Sequence, residues 1–200
     1  MYHQYREGWI EVICGCMFAG KTEELIRRIN VLSFAKKKII IFKPKIDDRY
    51  SSTQIVSHAG RSIDCITIDK ASEMLDYLKK EEDVDVVAID EVQFFDEDVV
   101  AICDYLADQG KRVMVAGLDK DFRGEPFGVM PELLTRAEFV TKLTAVCAKC
   151  GAPATRTQRL INNEPASFHD PIVLVGATEH YEPRCRHCHK VLDKPTLKNK

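Results

Sequence analysis

The residues whose types and spacing predict chemistry most directly form a glycine-rich loop near the start of the chain. The loop reads GCMFAGKT and fits the pattern G-x-x-x-x-G-K followed by Ser or Thr, which binds the phosphates of ATP or GTP. Its backbone N–H groups and the N-terminus of the next helix attract the anion, while the lysine adds a full charge and the hydroxyl binds Mg²⁺. The predicted phosphate-binding residues are Gly15, Cys16, Met17, Phe18, Ala19, Gly20, Lys21 and Thr22.

Two acidic residues follow another apolar segment. Residues 84–89 read VDVVAI, which predicts a buried strand, and Asp90 and Glu91 come directly after it. Ligands of open α/β sheets gather at the carboxyl ends of the strands, so we expect Asp90 to hold Mg²⁺ together with Thr22. Glu91 could polarise a water molecule or accept a proton from a substrate hydroxyl. Such pairs also occur as solvated turn residues, and the glycine loop favours the functional interpretation.

Four of the eight cysteines form two C-x-x-C pairs. These are Cys147, Cys150, Cys185 and Cys188, whereas Cys14, Cys16, Cys65 and Cys103 lie singly in apolar segments. Two such pairs can supply the four corners of a closed, structural Zn²⁺ site. The metal would then anchor the long segment between the pairs, residues 151–184.

Two alternatives exist for the paired cysteines, namely buried packing thiols and a redox-active pair. Packing does not explain two matched intervals, so the spacing favours zinc. His187 and His189 stand beside Cys188 and could replace a thiolate as ligand, although we expect both to be exposed.

Apolar segments alternate with helical patterns through the first 140 residues. Strands are predicted at 9–14, 38–43, 84–89 and 112–116, and helical spacing recurs near 25–32, 74–78 and 99–106. This alternation is typical of βαβ units and predicts an α/β fold, a P-loop (RecA-like) parallel sheet with flanking helices. We expect a nucleotide-binding domain over 1–140, a small zinc-binding lobe over 141–193 and a disordered tail over 194–200. Residues 45–62 are polar and turn-rich, which predicts a long loop.

The overall composition excludes some classes of function. The 200 residues include 29 Lys and Arg against 31 Asp and Glu, a formal net charge of -2, so no global basic field favours nucleic acid. No apolar run approaches the ~20 residues that span a bilayer, and the opening residues lack the apolar core of a secretory signal. We therefore expect a cytoplasmic protein with no membrane partner, whose cysteines stay reduced.

Taken together, these motifs resemble the cytosolic, zinc-containing (type II) thymidine kinases. The resemblance covers nearly the whole chain, and its landmarks run in the family's order. They are GCMFAGKT, DDRYSS, DEVQFF, GLDKDFRGEPFG, KLTAVCAKC and GATEHYEPRC. Two positions depart from the family, because Cys16 and Ala19 stand where it often has Pro and Ser. Backbone N–H groups do most of the phosphate binding, so we expect little loss of function.

The resemblance implies a role for individual residues. Glu91 would be the base that faces the nucleoside 5′-hydroxyl, and Arg49 would lie near the phosphates. The ATP-binding stretch would also include Val92 and Gln93. The side chains that would enclose the nucleoside are those of Met17, Phe94, Leu118, Phe122 and Phe127. Tyr181 would stack on the base. The base would be recognised by main-chain groups near Thr157, Arg159, Ile172 and Gly176. Sequence alone does not decide which of Phe94 and Phe95 faces the pocket.

The resemblance further implies ATP and thymidine as substrates, Mg²⁺ with ATP, structural Zn²⁺, feedback binding of thymidine triphosphate and a homotetramer. It places the long loop of the zinc lobe over the nucleoside as a lasso. A different class of function is the alternative, namely a P-loop ATPase whose zinc lobe binds nucleic acid. The charge of -2 and the lack of a basic stripe with interleaved aromatic residues weigh against it. A purely structural zinc-binding module would leave the phosphate loop unexplained.

Overall fold

A computed structural model describes residues 8–45, 54–56, 60, 62–172 and 179–195. The strands are β1 (Trp9–Gly15), β2 (Ile39–Pro44), β3 (Gln54–Val56), β4 (Ser62–Asp64), β5 (Ile66–Ile68), β6 (Val86–Ile89), β7 (Arg112–Leu118), β8 (Phe139–Lys142), β9 (Ala145–Val146), β10 (Pro153–Ala154), β11 (Arg156–Ile161), β12 (Glu164–Pro165) and β13 (Glu179–Arg184). The helices are α1 (Lys21–Phe34), α2 (Glu73–Leu78), α3 (Asp98–Asp108) and α4 (Met130–Arg136), with a 3-10 turn at Val92–Phe94.

The main sheet has six parallel strands in the order β5-β2-β6-β7-β1-β8. Its central strands are buried along their length, as a strand covered on both faces requires. Helix α1 packs on one face through Leu25, Ile26 and Ile29, while α2, α3 and α4 pack on the other. The predicted α/β architecture is therefore confirmed, and the carboxyl ends of all six strands lie at one edge.

The structure contains elements that the sequence did not predict, among them the edge strands β5 and β8 of the main sheet. The loop predicted over 45–62 contains β3, which pairs antiparallel with β4 in a short hairpin, and Ile55 from β3 joins the core beside α1. The polar composition of that segment hides the hairpin. Helix α4 was not predicted either, because its seven residues are too few for a clear helical period. Of the loop predicted over 45–62, residues 46–53, 57–59 and 61 lie outside the described residues.

The cysteine-rich part of the chain is built from short strands. Strands β9 and β10 form a two-stranded hairpin, and β12, β11 and β13 form a separate antiparallel sheet. Strand β8, which spans the expected junction at residue 141, belongs to the main sheet and pairs with β1. Within the described residues, none of the helices has the length and hydropathy that a membrane-spanning helix needs. Of the tail expected over 194–200, residues 196–200 lie outside the described residues.

Candidate active site

The glycine loop connects β1 to α1 at the carboxyl edge of the sheet. Gly20 has a φ of 83°, a left-handed conformation that glycine adopts without strain, and α1 begins at the next residue. Gly15 approaches the backbone so closely that a Cβ there would lie 2.6 Å from the carbonyl oxygen of Leu143. The two glycines of the motif are therefore required by the turn and by the close packing of the loop on the segment after β8.

The loop presents positive charge to a ligand. The Nζ of Lys21 is buried and donates to the carbonyl oxygen of Cys16 at 3.0 Å, so the ammonium group lies against its own loop. In the described part of the chain, no group accepts a hydrogen bond from the backbone N–H of Lys21 or Thr22. Unpaired N–H groups at the start of a 14-residue helix form an anion-binding site, and here they lie beside an ammonium group.

Thr22 and Asp90, the two predicted magnesium ligands, are in contact. The Thr22 hydroxyl donates to Oδ2 of Asp90 at 3.2 Å, and Oδ1 accepts from the N–H of Glu91 at 3.0 Å. Burial raises the pKa of Asp90 to about 7, and the neighbouring charge of Glu91 adds to the shift. Hydroxyl and carboxylate oxygens are the ligands that Mg²⁺ prefers, so these two side chains fit that ion.

The raised pKa of Asp90 predicts a pH-dependent effect on stability. Between its ordinary value of 3.8 and about 7, the folded chain binds more protons at this site than the unfolded chain, so this site lowers stability as pH rises. We expect Asp90→Asn to raise the Tm of the ligand-free protein at pH 8 more than at pH 5. Thermal melts of both proteins at the two pH values test this; an equal difference in Tm at both would contradict it.

Glu91 is oriented by Gln93. Glu91 has a left-handed φ of 51°, and its Oε2 accepts from the Gln93 side-chain amide at 2.5 Å. The amide oxygen of Gln93 in turn accepts from the N–H of Leu118 at 3.0 Å. Gln93 is buried, so its amide holds the carboxylate through contacts to two separate elements. The sequence did not predict that Gln93 links Glu91 to Leu118, because Leu118 lies 25 residues away at the end of β7.

The two aromatic residues after Glu91 differ in burial. Phe95 and Val92 are buried in the core, whereas Phe94 is half-buried and meets Phe127 edge to face, with 5.3 Å between the ring centroids. Phe94 is therefore the ring on the exposed side of this turn. Leu118 lies half-buried at the end of β7.

Phe122 packs against two arginines. It is buried beneath the guanidinium of Arg159, which stands 4.8 Å from its ring centroid, and Arg123 lies on the same ring at 5.4 Å. Arg159 is fully buried and donates to the carbonyl oxygen of Pro171 at 2.6 Å. This side chain therefore connects the segment after β7 with the long loop of the cysteine-rich lobe.

The remaining expected nucleoside contacts lie in the lobe. Thr157 is buried on β11, where its Oγ1 accepts from the N–H of Met17 at 3.0 Å. Tyr181 is half-buried on β13, where it pairs with Arg159 of β11, and Ile172 is exposed. Arg49 and Gly176 lie outside the described residues.

The four paired cysteines form one cluster. Their sulfur atoms all lie within 4.8 Å of one another, and those of Cys150 and Cys185 are 3.7 Å apart. Four thiolates around Zn²⁺ at ~2.3 Å place neighbouring sulfurs about 3.8 Å apart, so the cluster fits a structural zinc site. Burial alone would raise the pKa of Cys147, but backbone N–H groups outweigh it and lower the value to about 6.

The neighbouring histidines lie outside this cluster. His187 is exposed, and His189 is half-buried with its Nε2 2.8 Å from the carbonyl oxygen of Phe122. Because a carbonyl oxygen only accepts, Nε2 carries the proton in this bond. His189 thus links the lobe to the segment that follows β7.

The parallel sheet and the glycine loop together define a P-loop nucleotide-binding protein. A family model described as thymidine kinase matches residues 8–189, and the chain belongs to that family. Among solved structures, the chain is similar to the ATPase DotB of Legionella pneumophila, with 17% identity and a TM-score of 0.40 over 66% of this chain and 34% of that chain. It therefore spans about a third of that protein's length.

Proposed function

We propose that this protein is a thymidine kinase, which transfers the γ-phosphoryl group of ATP to the 5′-hydroxyl of thymidine and of deoxyuridine. The observation that carries the proposal is the contact of Thr22 with Asp90, because it brings the phosphate loop and the acidic strand end into one site. Glu91 stands next to that contact as a second carboxylate. Membership of the thymidine kinase family supports a nucleoside, rather than water, as the acceptor.

In this mechanism the donor phosphates bind at the start of α1. The N–H groups of Lys21 and Thr22 face the phosphate oxygens, and the Lys21 ammonium leaves the carbonyl oxygen of Cys16 for the β- and γ-phosphates. Thr22 and Asp90 would hold Mg²⁺, which neutralises charge on the transferring group when bound. Phosphoryl transfer passes through a loose transition state, so alignment and charge neutralisation supply most of the catalysis.

Glu91 acts on the acceptor. Its Oε2 is fixed by the Gln93 amide, which leaves the other carboxylate oxygen to orient the 5′-hydroxyl and later remove its proton. Phe94 and Phe127 offer an apolar edge next to Glu91 on which the nucleoside would rest. In the proposed arrangement, the lobe carrying Thr157, Arg159 and Tyr181 closes over the base. Salvage of thymidine for DNA synthesis, a cytoplasmic location, a homotetramer and feedback by thymidine triphosphate belong to the same proposal.

The two bonds of Gln93 predict that it supports turnover by positioning Glu91. We expect Gln93→Met, which keeps the volume and removes both bonds, to lower kcat about ten- to a hundredfold, because a small misplacement of a catalytic group is costly. The KM for ATP should change little, since Gln93 donates to Glu91 rather than to the phosphate loop. Steady-state kinetics with each substrate varied test this. Gln109→Met, in an exposed glutamine at the end of α3, is the control, and its kcat should stay within a few fold of the parent. An unchanged kcat in Gln93→Met would contradict the role.

The proposed reaction is tested by transfer of labelled γ-phosphate from ATP, with Mg²⁺, to single nucleosides. Thymidine, deoxyuridine, deoxycytidine and deoxyadenosine are compared with a sample that contains no nucleoside. We expect labelled thymidine monophosphate as the main product. Free phosphate without labelled nucleotide, stimulated by single-stranded DNA, would replace the kinase with a nucleic-acid-dependent ATPase.

A further inference from the structure

The cysteine-rich lobe holds the first half of the phosphate loop. Cys16 is buried against Ala154, and its Sγ lies 3.3 Å from the carbonyl oxygen of that residue. It belongs to the same buried cluster as the zinc-site residues Cys147 and Cys185. The next loop residue, Met17, donates its N–H to Oγ1 of Thr157 at 3.0 Å.

These contacts divide the loop into two parts. Cys16 and Met17 are tied to β10 and β11, while Lys21 and Thr22 keep their N–H groups free of partners among the described residues. Lys21 depends on the tied part as well, because its Nζ donates to the carbonyl oxygen of Cys16. The positions of Cys16 and Met17 therefore determine where the turn begins, and with it the direction of the N–H groups of Lys21 and Thr22.

We propose that Thr157 is a positioning residue for the phosphate loop, through which the cysteine-rich lobe sets the geometry of the ATP site. Thr157 is buried, and its hydroxyl is the acceptor that keeps the N–H of Met17 paired. An unpaired N–H in this partly buried setting is unfavourable, so the loop would rearrange without this oxygen. This role of Thr157 differs from the nucleoside contact that the resemblance implies. It concerns the loop that binds the phosphates of ATP, and it does not require a bound nucleoside.

The test is amide hydrogen exchange in the ligand-free protein, in the peptide that contains residues 14–20. Thr157→Val keeps the branched shape and removes the acceptor, whereas Thr157→Ser keeps the acceptor. We expect exchange at Met17 to be at least about tenfold faster in Thr157→Val and close to the parent rate in Thr157→Ser. Zinc content and exchange in β6 and β7, measured on the same samples, establish that the lobe and sheet remain folded.

A second experiment measures the binding of MgATP in the absence of nucleoside. Its interpretation rests on the proposed function, because it assumes that the protein binds ATP. We expect Thr157→Val to weaken binding about tenfold and Thr157→Ser to weaken it by less than about twofold. Equal exchange at Met17 in the parent and in Thr157→Val would overturn the proposal, as would faster exchange in both variants. If the parent protein bound no MgATP, the proposed function would fail, while the exchange measurement would still decide the role of Thr157.

Discussion

Glu91→Gln should retain thymidine binding and lose turnover by at least about a hundredfold, because a positioned general base contributes ~10²–10⁴-fold. The substitution keeps the size of the side chain and still offers Gln93 an oxygen acceptor at 2.5 Å, so the local geometry is preserved. Only the ability to take the proton from the 5′-hydroxyl is lost. Phosphate binding by Lys21 and Thr22 is untouched, which leaves the residual rate that alignment alone supports.

The measurement combines single-turnover kinetics with equilibrium binding of thymidine and of MgATP. Glu97→Gln, at the exposed start of α3, is the matched control, and its kcat should stay within a few fold of the parent. Turnover of Glu91→Gln within a few fold of the parent would remove Glu91 from the role of base. A loss of thymidine binding in place of turnover would make Glu91 a binding residue instead.

Sequence alone predicted the parts of the site that are local in the chain. The phosphate loop, the strand that ends at Asp90 and the two cysteine pairs each lie within a few residues, so motif and spacing describe them. Four of the six strands of the sheet followed in the same way, since buried parallel strands are continuous apolar runs, whereas the edge strands β5 and β8 were not predicted. Short elements escaped prediction, as β3 and α4 have three and seven residues.

The contacts that join distant segments could not be predicted from spacing. The turn at residues 92–94 follows the left-handed Glu91, and this conformation buries Phe95 and leaves Phe94 on the exposed side. The pattern of polar and apolar residues in DEVQFF does not predict which of the two phenylalanines is buried. The pairing of Met17 with Thr157, 140 residues later, likewise depends on how the lobe packs on the loop.

The cysteine cluster predicts a second large effect, because the part of the lobe around β9 and β10 has a small core. Strands β9 and β10 are two residues long, and among the described residues the buried cluster between lobe and loop consists of cysteines and alanines. A hairpin of that size is marginal in water, whereas structural Zn²⁺ contributes ~10–16 kcal/mol of apparent binding free energy in small domains. We therefore expect the order of the lobe to depend on the metal.

Replacing one ligand, in Cys185→Ser, should abolish stoichiometric zinc binding and lower kcat/KM for thymidine by at least about a hundredfold, because lobe and acceptor site lose their order together. Metal analysis, amide exchange over β9 to β11 and kinetics measure this.

Cys65→Ser is the control, since Cys65 is a buried thiol outside the cluster, and its variant should keep one zinc per chain. Exchange in β6 and β7 should stay slow in both variants, because the main sheet is buried independently of the lobe. Full zinc content and activity in Cys185→Ser would mean that the four sulfurs pack together without holding a metal.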